Sequence, residues 1–427
     1  MRTGNGLRGV AVVLAATLAL TACGDGEKSG KDAPASLRMT IWSANEAHLK
    51  LFNEIAEEYK KANPDITAIT FEPLPFENYT TTLTTQIAGG NAPDLAWVFE
   101  NSAPDFVNSG ALLPLDGVLK KADGYAYDDL SPATLKLWQS DGKLFGYPFS
   151  TSPFGVFVNN DLLKKAGQKT PAELIAAGQW NWDNALATAA ATQSSTGKAG
   201  LVIRDFDYKG WDNLSTVWTG WGAQAWSADG KSCGFAAPEM VDAMTTLHKA
   251  IFTAKALPGP GTTADFFAGD AAMTVTQISR ASLLKKDGFD WDLVPLPAGP
   301  KGTYSVVGQA GIGVMKKSPH ADKAANFLAF LTNPTNSAKL AQFFPPPRQS
   351  LLTAETLAKT NPTLKPEQLQ KVVIDGITNG VVKPSHAGQA ELSQQVRAGL
   401  DPLWKADADV KAVLDGVCTK IQPLLAK

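Results

Sequence analysis

The sequence predicts an α/β fold with a largely parallel sheet. Three observations carry this: short apolar strands alternate with amphipathic helices from Ser36 to Phe99, the alternation restarts after Gly142, and the connections are short. The 427 residues suffice for two or three domains, and apolar residues at 44% can fill a large core.

Taken in order, Ser36–Trp42 alternates Leu37, Met39 and Ile41 at the strand period of two. Glu46–Asn63 then places Leu51, Phe52, Ile55 and Tyr59 on one helical face, and Asn63-Pro64 ends that helix. Ile66–Phe71 is a β-branched run, Tyr79–Ala88 reads as a helix closed by Gly89-Gly90, and Asp94–Phe99 is a short buried strand. In such sheets ligands sit beyond the carboxyl ends of the strands, which directs attention to the loops after Trp42 and Phe99. Further on, Phe154–Val158 reads as a strand and Asp161–Ala166 as a helix. Asp183 is the expected N-cap of a helix through Ala185–Thr192, and Pro238–Ala254 forms another amphipathic helix.

Composition narrows the function. Lys and Arg number 39 against 41 Asp and Glu, a net charge of −2, and no basic block occurs. Nucleic-acid binding requires a positive footprint that displaces phosphate counterions, so it is not expected. His48, His248, His320 and His386 are scattered and only three Cys are present, leaving little material for a zinc site. No metal or cofactor is expected.

Arg2 and Arg8 precede an uncharged apolar run of eleven residues, Val10–Leu20. As a helix it would span about 16 Å, short of the roughly 30 Å hydrocarbon core, so it reads as an export signal. The run ends in Leu20-Thr21-Ala22-Cys23, which resembles the lipobox of a bacterial lipoprotein. That resemblance implies a signal peptide at residues 1–22, lipidation of Cys23, and a flexible tether over 23–35. The protein is then extracytoplasmic and anchored to the cell membrane. The plainer alternative is an ordinary secretory signal with Cys23 incidental. Cys233 and Cys418 remain in the mature chain, and an even pair in an exported protein reads as one disulfide, against two buried free thiols.

A series of blocks carries a second resemblance. They include Ile41-Trp42-Ser43, Asn63-Pro64-Asp65-Ile66, Asn91-Ala92-Pro93-Asp94-Leu95 and Gly110–Asp116. Asp141–Pro148, Asn159–Gly167 (with Val158 in place of a usual Tyr), Phe266–Met273, Lys316-Lys317-Ser318 and Ala321–Asn333 follow in order. Together they resemble family 1 extracellular solute-binding proteins, the sugar-capturing components of ABC importers. The resemblance implies a type II periplasmic-binding-protein-like fold, with two hinge-linked α/β lobes and a ligand cleft between them. One lobe is expected over 36–148 and 274–331, the other over 149–273 and 332–427. It also implies a saccharide ligand, membrane permease subunits as partners, a monomer and no covalent chemistry.

A saccharide binder needs flat aromatic surfaces for C–H faces and polar groups for hydroxyls. At the ends of the first and third strands stand Trp42, Ser43, Asn45 and Glu46, then Glu100 and Asn101. The expected crossovers add Thr151, Phe154, Gln277 and Arg280, and Gly308-Gln309 precede a Gly-rich strand that resembles the family's cleft-lining segment. Trp218 and Trp221 precede the Gly222 turn in a Trp-rich stretch, and Arg348 ends a stiff Pro-rich turn. For each polar residue a surface or hinge hydrogen bond is the plainer role, and for each Trp a core position.

Other motifs fail on their chemistry. The segment from Asp205 to Gly210 begins like a calcium loop but has Lys209 at its fifth position and Thr216 at its twelfth, where a bidentate Glu is required. Gly308–Gly313 lacks the glycine order of a dinucleotide loop, and neither G-x-S-x-G nor H-E-x-x-H occurs. The rival readings are a secreted carbohydrate-active enzyme of glycoside hydrolase or lyase type, whose carboxylate pair sequence cannot locate, and a lipoprotein chaperone or adhesion module.

Overall fold

The computed structural model describes residues 34–204, 210–262, 264–360 and 363–426. Cys23, the expected signal 1–22, tether residues 23–33 and the calcium-like segment 205–209 lie outside the described residues. Ala35, expected in the tether, opens the first strand.

The chain begins with β1 (Ala35–Ile41), α1 (Glu46–Ala62), β2 (Ile66–Pro73), α2 (Tyr79–Ala88), β3 (Leu95–Phe99) and α3 (Ala103–Asn108). Helix α1 starts where the Asn45 side chain accepts from the N–H groups of Ala47 and His48. It buries Leu51, Phe52, Ile55, Ala56 and Tyr59 on one face. Both β2 and β3 pair with β1 in parallel.

The next elements are β4 (Gly146–Asn159), α4 (Trp182–Thr196), β5 (Ala199–Ile203), α5 (Pro238–Phe252), β6 (Ala271–Gln277), β7 (Trp291–Val294) and β8 (Val306–Val314). Then come α6 (Ala321–Leu331), α7 (Pro334–Leu340), β9 (Val381–Val382), α8 (Gln389–Leu400) and α9 (Val410–Leu425). The cap of α4 is Asn181, whose side chain accepts from the Asn184 N–H, rather than Asp183. The helix begins at Trp182, two residues earlier than a cap at Asp183 requires, so Asp183 falls in its first turn.

Nine of these strands are hydrogen-bonded in the order β2-β1-β3-β8-β4-β6-β5, with β9 beside β8 and β7 beside β4. Strand β8 runs antiparallel to β3 and β4, and β4 antiparallel to β6. The single ladder serves separate cores. The first gathers side chains from 35–149 and 310–344, including Phe52, Trp97, Phe149 and Phe327. A second draws on 154–306 and 392–425. A third cluster, with Phe157, Leu293, Val372 and Ile377, packs beside it.

The switch between cores therefore falls inside two strands, between Phe149 and Phe154 of β4 and between Val306 and Ala310 of β8. The expected boundary at 274 falls inside β6. Strand β6 pairs with β4 and β5, and Val275, Val294 and Leu296 pack in the second core, so the chain returns to the first lobe only through β8. Leu340 and Phe344, beyond the expected boundary at 331, pack in the first core.

Cys233 and Cys418 are joined by a disulfide, tying the loop before α5 to α9. Beside it the Gln422 side chain accepts from the Cys233 N–H at 2.9 Å and donates to the Lys231 carbonyl at 2.7 Å.

Candidate ligand-binding site

The carboxyl ends of β1, β2 and β3 bring three aromatic rings together. Trp42 and Phe99 stack with centroids 4.1 Å apart and planes 20° apart. Phe76, just past β2, meets Phe99 edge-on at 5.1 Å and remains 53% exposed. Buried Tyr79 and Trp97 support Trp42 from behind at 5.1 and 4.7 Å. Stacked and edge-on pairs are worth about 0.5–1.5 kcal/mol each beyond area burial. The shelf is thus rigid, with one open ring.

One residue past Phe99, Glu100 starts a polar seam between the cores. Its carboxylate lies 2.9 Å from the Lys383 ammonium, which lies 2.8 Å from Asp212 on the other side. Burial opposes the charge on Lys383, but Asp212 and Glu100 overcome it and hold its pKa above the ordinary lysine value. Gln277, at the end of β6, accepts a hydrogen bond from Arg204. Its amide fills the space where a Cβ on Gly308 would stand, and the Glu100 Oε1 lies 3.6 Å from the same point. Gly308 is therefore the residue that lets side chains of both lobes meet at β8.

Trp42, Glu100, Gln277 and Gly308 thus lie at or beside this seam. Other expected residues are engaged elsewhere. Ser43 pairs with His48 at 2.7 Å, Asn45 caps α1, and Glu46 is exposed in that helix's first turn. Asn101 accepts from Ser102 at 3.2 Å. Thr151 and Gln309 face each other across β4 and β8. Gln309 bonds Trp138, the Thr134 carbonyl and Thr151, so both residues are absorbed by the hinge's own network.

Phe154 and Trp218, expected at the cleft, are buried in the second core, and Trp221 packs there as well. Trp218 stacks on Trp211 and meets Phe235 edge-on. A Trp is large enough to serve core or cleft, and here the aromatic neighbours hold it inside. Arg280 lies over the Phe267 ring at 5.5 Å. Arg348 is fully buried: it donates twice to the Thr332 carbonyl, at 3.2 and 2.8 Å, once to the Ala126 carbonyl, and sits over Tyr125. Its role is to fasten the 345–348 turn to the first core.

Sequence reasoning missed Phe76, Arg204, Asp212 and Lys383. The first was within reach, because β2 ends beside β1 and its loop obeys the same carboxyl-end rule. Lys383 carries no local signal, since only the return of the chain through β9 to β8 brings it to Glu100. Among the described residues no cluster of His, Cys, Asp and Glu could hold a metal ion.

Two α/β cores joined by shared strands, with an aromatic shelf and a polar seam where they meet, define a two-lobed binding protein. The chain belongs to the bacterial extracellular solute-binding protein family, whose pattern matches residues 54–366. The sn-glycerol-3-phosphate-binding periplasmic protein of Escherichia coli O1:K1 is 28% identical over 363 residues, covering 79% of this chain and 77% of its own. Two solved structures share the fold. The cyclic alpha-maltosyl-1,6-maltose binding protein of Arthrobacter globiformis superposes with a TM-score of 0.78 at 18% identity, covering 92% of this chain and all of its own. An ABC substrate-binding protein of Listeria monocytogenes, in complex with cycloalternan, has a TM-score of 0.78 at 22% identity, covering 93% and 100%.

Proposed function

We propose that this chain is the extracytoplasmic substrate-capturing component of an ABC-type importer and that its ligand is a mono- or oligosaccharide held between the lobes. The observation that carries the reading is an open ring, Phe76, on a Trp42–Phe99 stack that ends one residue before Glu100, whose carboxylate shares Lys383 with Asp212. A sugar presents apolar C–H faces to rings and hydroxyl donors to carboxylates. A buried hydroxyl left unpaired costs about 1–3 kcal/mol, so the seam's acceptors select the ligand. The relatives' oligosaccharide and glycerol-phosphate ligands support a polyol.

The lipobox around Cys23 supports a lipid anchor, the solute-binding family supports delivery of the cargo to membrane permease subunits, and the reading is of a monomer that leaves that cargo unaltered. Lobe closure over the ligand selects the state offered to the permease. Thermal-shift screening of mono- and oligosaccharides, with sn-glycerol 3-phosphate alongside, tests the reading. A ligand at a hundred times its Kd adds about 2.7 kcal/mol and raises Tm by a few degrees. A flat response to every saccharide overturns it, and a response to the phosphate ester alone moves the ligand to that class.

A further inference from the structure

Residues 383–388 link the lobes by protein groups alone. The segment leaves the hinge at β9, which pairs with Val306 and Val307 of β8. His386 seats it on the second lobe, with Nε2 2.9 Å from the Gly230 carbonyl and its ring edge-on to Trp226 at 5.4 Å. Both ends then reach the first lobe. Lys383 meets Glu100 at 2.9 Å, while the Gly388 N–H donates to the exposed Asp105 carboxylate at 2.7 Å. Gly388 precedes the twelve-residue α8, whose start has no side-chain cap from its own lobe. A carboxylate of one lobe thus completes the helix terminus of the other, where the helix dipole favours negative charge.

We propose that residues 383–388 form a latch, with Lys383 and Asp105 as lobe-positioning residues that favour closure through protein–protein charge contacts. Part of the closure free energy then comes from the chain itself, and a ligand that needs the closed state binds more tightly in proportion to its population. The Asp105 contact is exposed and screened by salt, whereas the Lys383 contacts are largely buried and screened less. The latch does not depend on which ligand the cleft takes.

Small-angle X-ray scattering from the mature chain in the absence of ligand tests this. At low salt the wild-type radius of gyration is expected to be that of the lobe arrangement in which Lys383 meets Glu100 and Gly388 meets Asp105. Asp105→Ala, Lys383→Ala and 1 M NaCl are each expected to enlarge the radius of gyration. The loss of one charge-assisted hydrogen bond lowers the closed-to-open ratio about tenfold. Asp105→Asn keeps an acceptor oxygen at an exposed site and is expected to fall between wild type and Asp105→Ala. It also keeps the test open should Lys383→Ala not fold. Identical curves for wild type and folded Asp105→Ala, or a wild type already expanded at low salt, overturn the latch. Because no saccharide is present, that result is separate from the ligand reading.

Discussion

Trp42 and Phe99 stack at 4.1 Å although 57 residues separate them, because β1 and β3 pair in parallel and end at the same level. Their stack forms a floor that leaves Phe76 as the exposed ring. Phe76→Ala is expected to weaken saccharide binding about tenfold, the loss of one aromatic contact, with little change in Tm. Trp42→Ala should lower both, because Trp42 also packs on Tyr79 and Trp97. Calorimetric titration beside thermal melting separates the two effects.

Arg348→Met should destabilise the fold by about 3–5 kcal/mol, the cost of breaking a buried charge network. It strands Asp129 and the carbonyls of Thr332 and Ala126. Arg348→Lys should not restore the loss, since an ammonium lacks the planar fork that reaches both carbonyls. Urea unfolding measures this, and full stability with weakened binding would return Arg348 to the cleft.

Breaking the Cys233–Cys418 bond by Cys418→Ser should cost about 3 kcal/mol by freeing a long loop of the unfolded chain. Both residues pack against the second core, and neither supplies a group to the Glu100–Lys383–Asp212 seam. Saccharide affinity at low temperature should therefore be unchanged while the urea midpoint falls.

His48 makes stability depend on pH. Burial lowers its pKa from 6.5 to about 4, beside Phe343 and Phe344. Between those values the unfolded chain binds the extra proton, so stability rises with pH across the window and is lost as pH falls from about 6.5 to about 4. Because the ring is partly exposed, the contribution is at most about 2 kcal/mol after allowing for solvent screening. His48→Gln should flatten that part of the profile, as read by urea unfolding from pH 4 to 7.

The strands and helices of residues 35–99 were legible because their signals are local: alternation in β1, one apolar face on α1, and Gly89-Gly90 after α2. The seam was legible in part. Glu100 and Gln277 stand at strand ends, where the topology rule directs attention. For Trp218 the residue type alone does not separate core from cleft, and its contacts with Trp211 and Phe235 become visible only in the fold. The partners of Arg348, the carbonyls of Thr332 and Ala126 with the side chains of Asp129 and Ser337, are distant in sequence or backbone groups, and neither leaves a local sequence signal. The crossover at β8 rather than β6 depended on strand pairing, which periodicity does not specify.

Titrating the mature protein calorimetrically with the saccharide that most raises its melting temperature, then recovering that sugar by chromatography, addresses capture without chemistry at one interlobe site. The expected outcome is saturation at one saccharide per chain, weakened by Phe76→Ala, with the recovered sugar chemically unchanged. Heatless titrations across the whole panel, or recovery of cleaved fragments, would contradict the account.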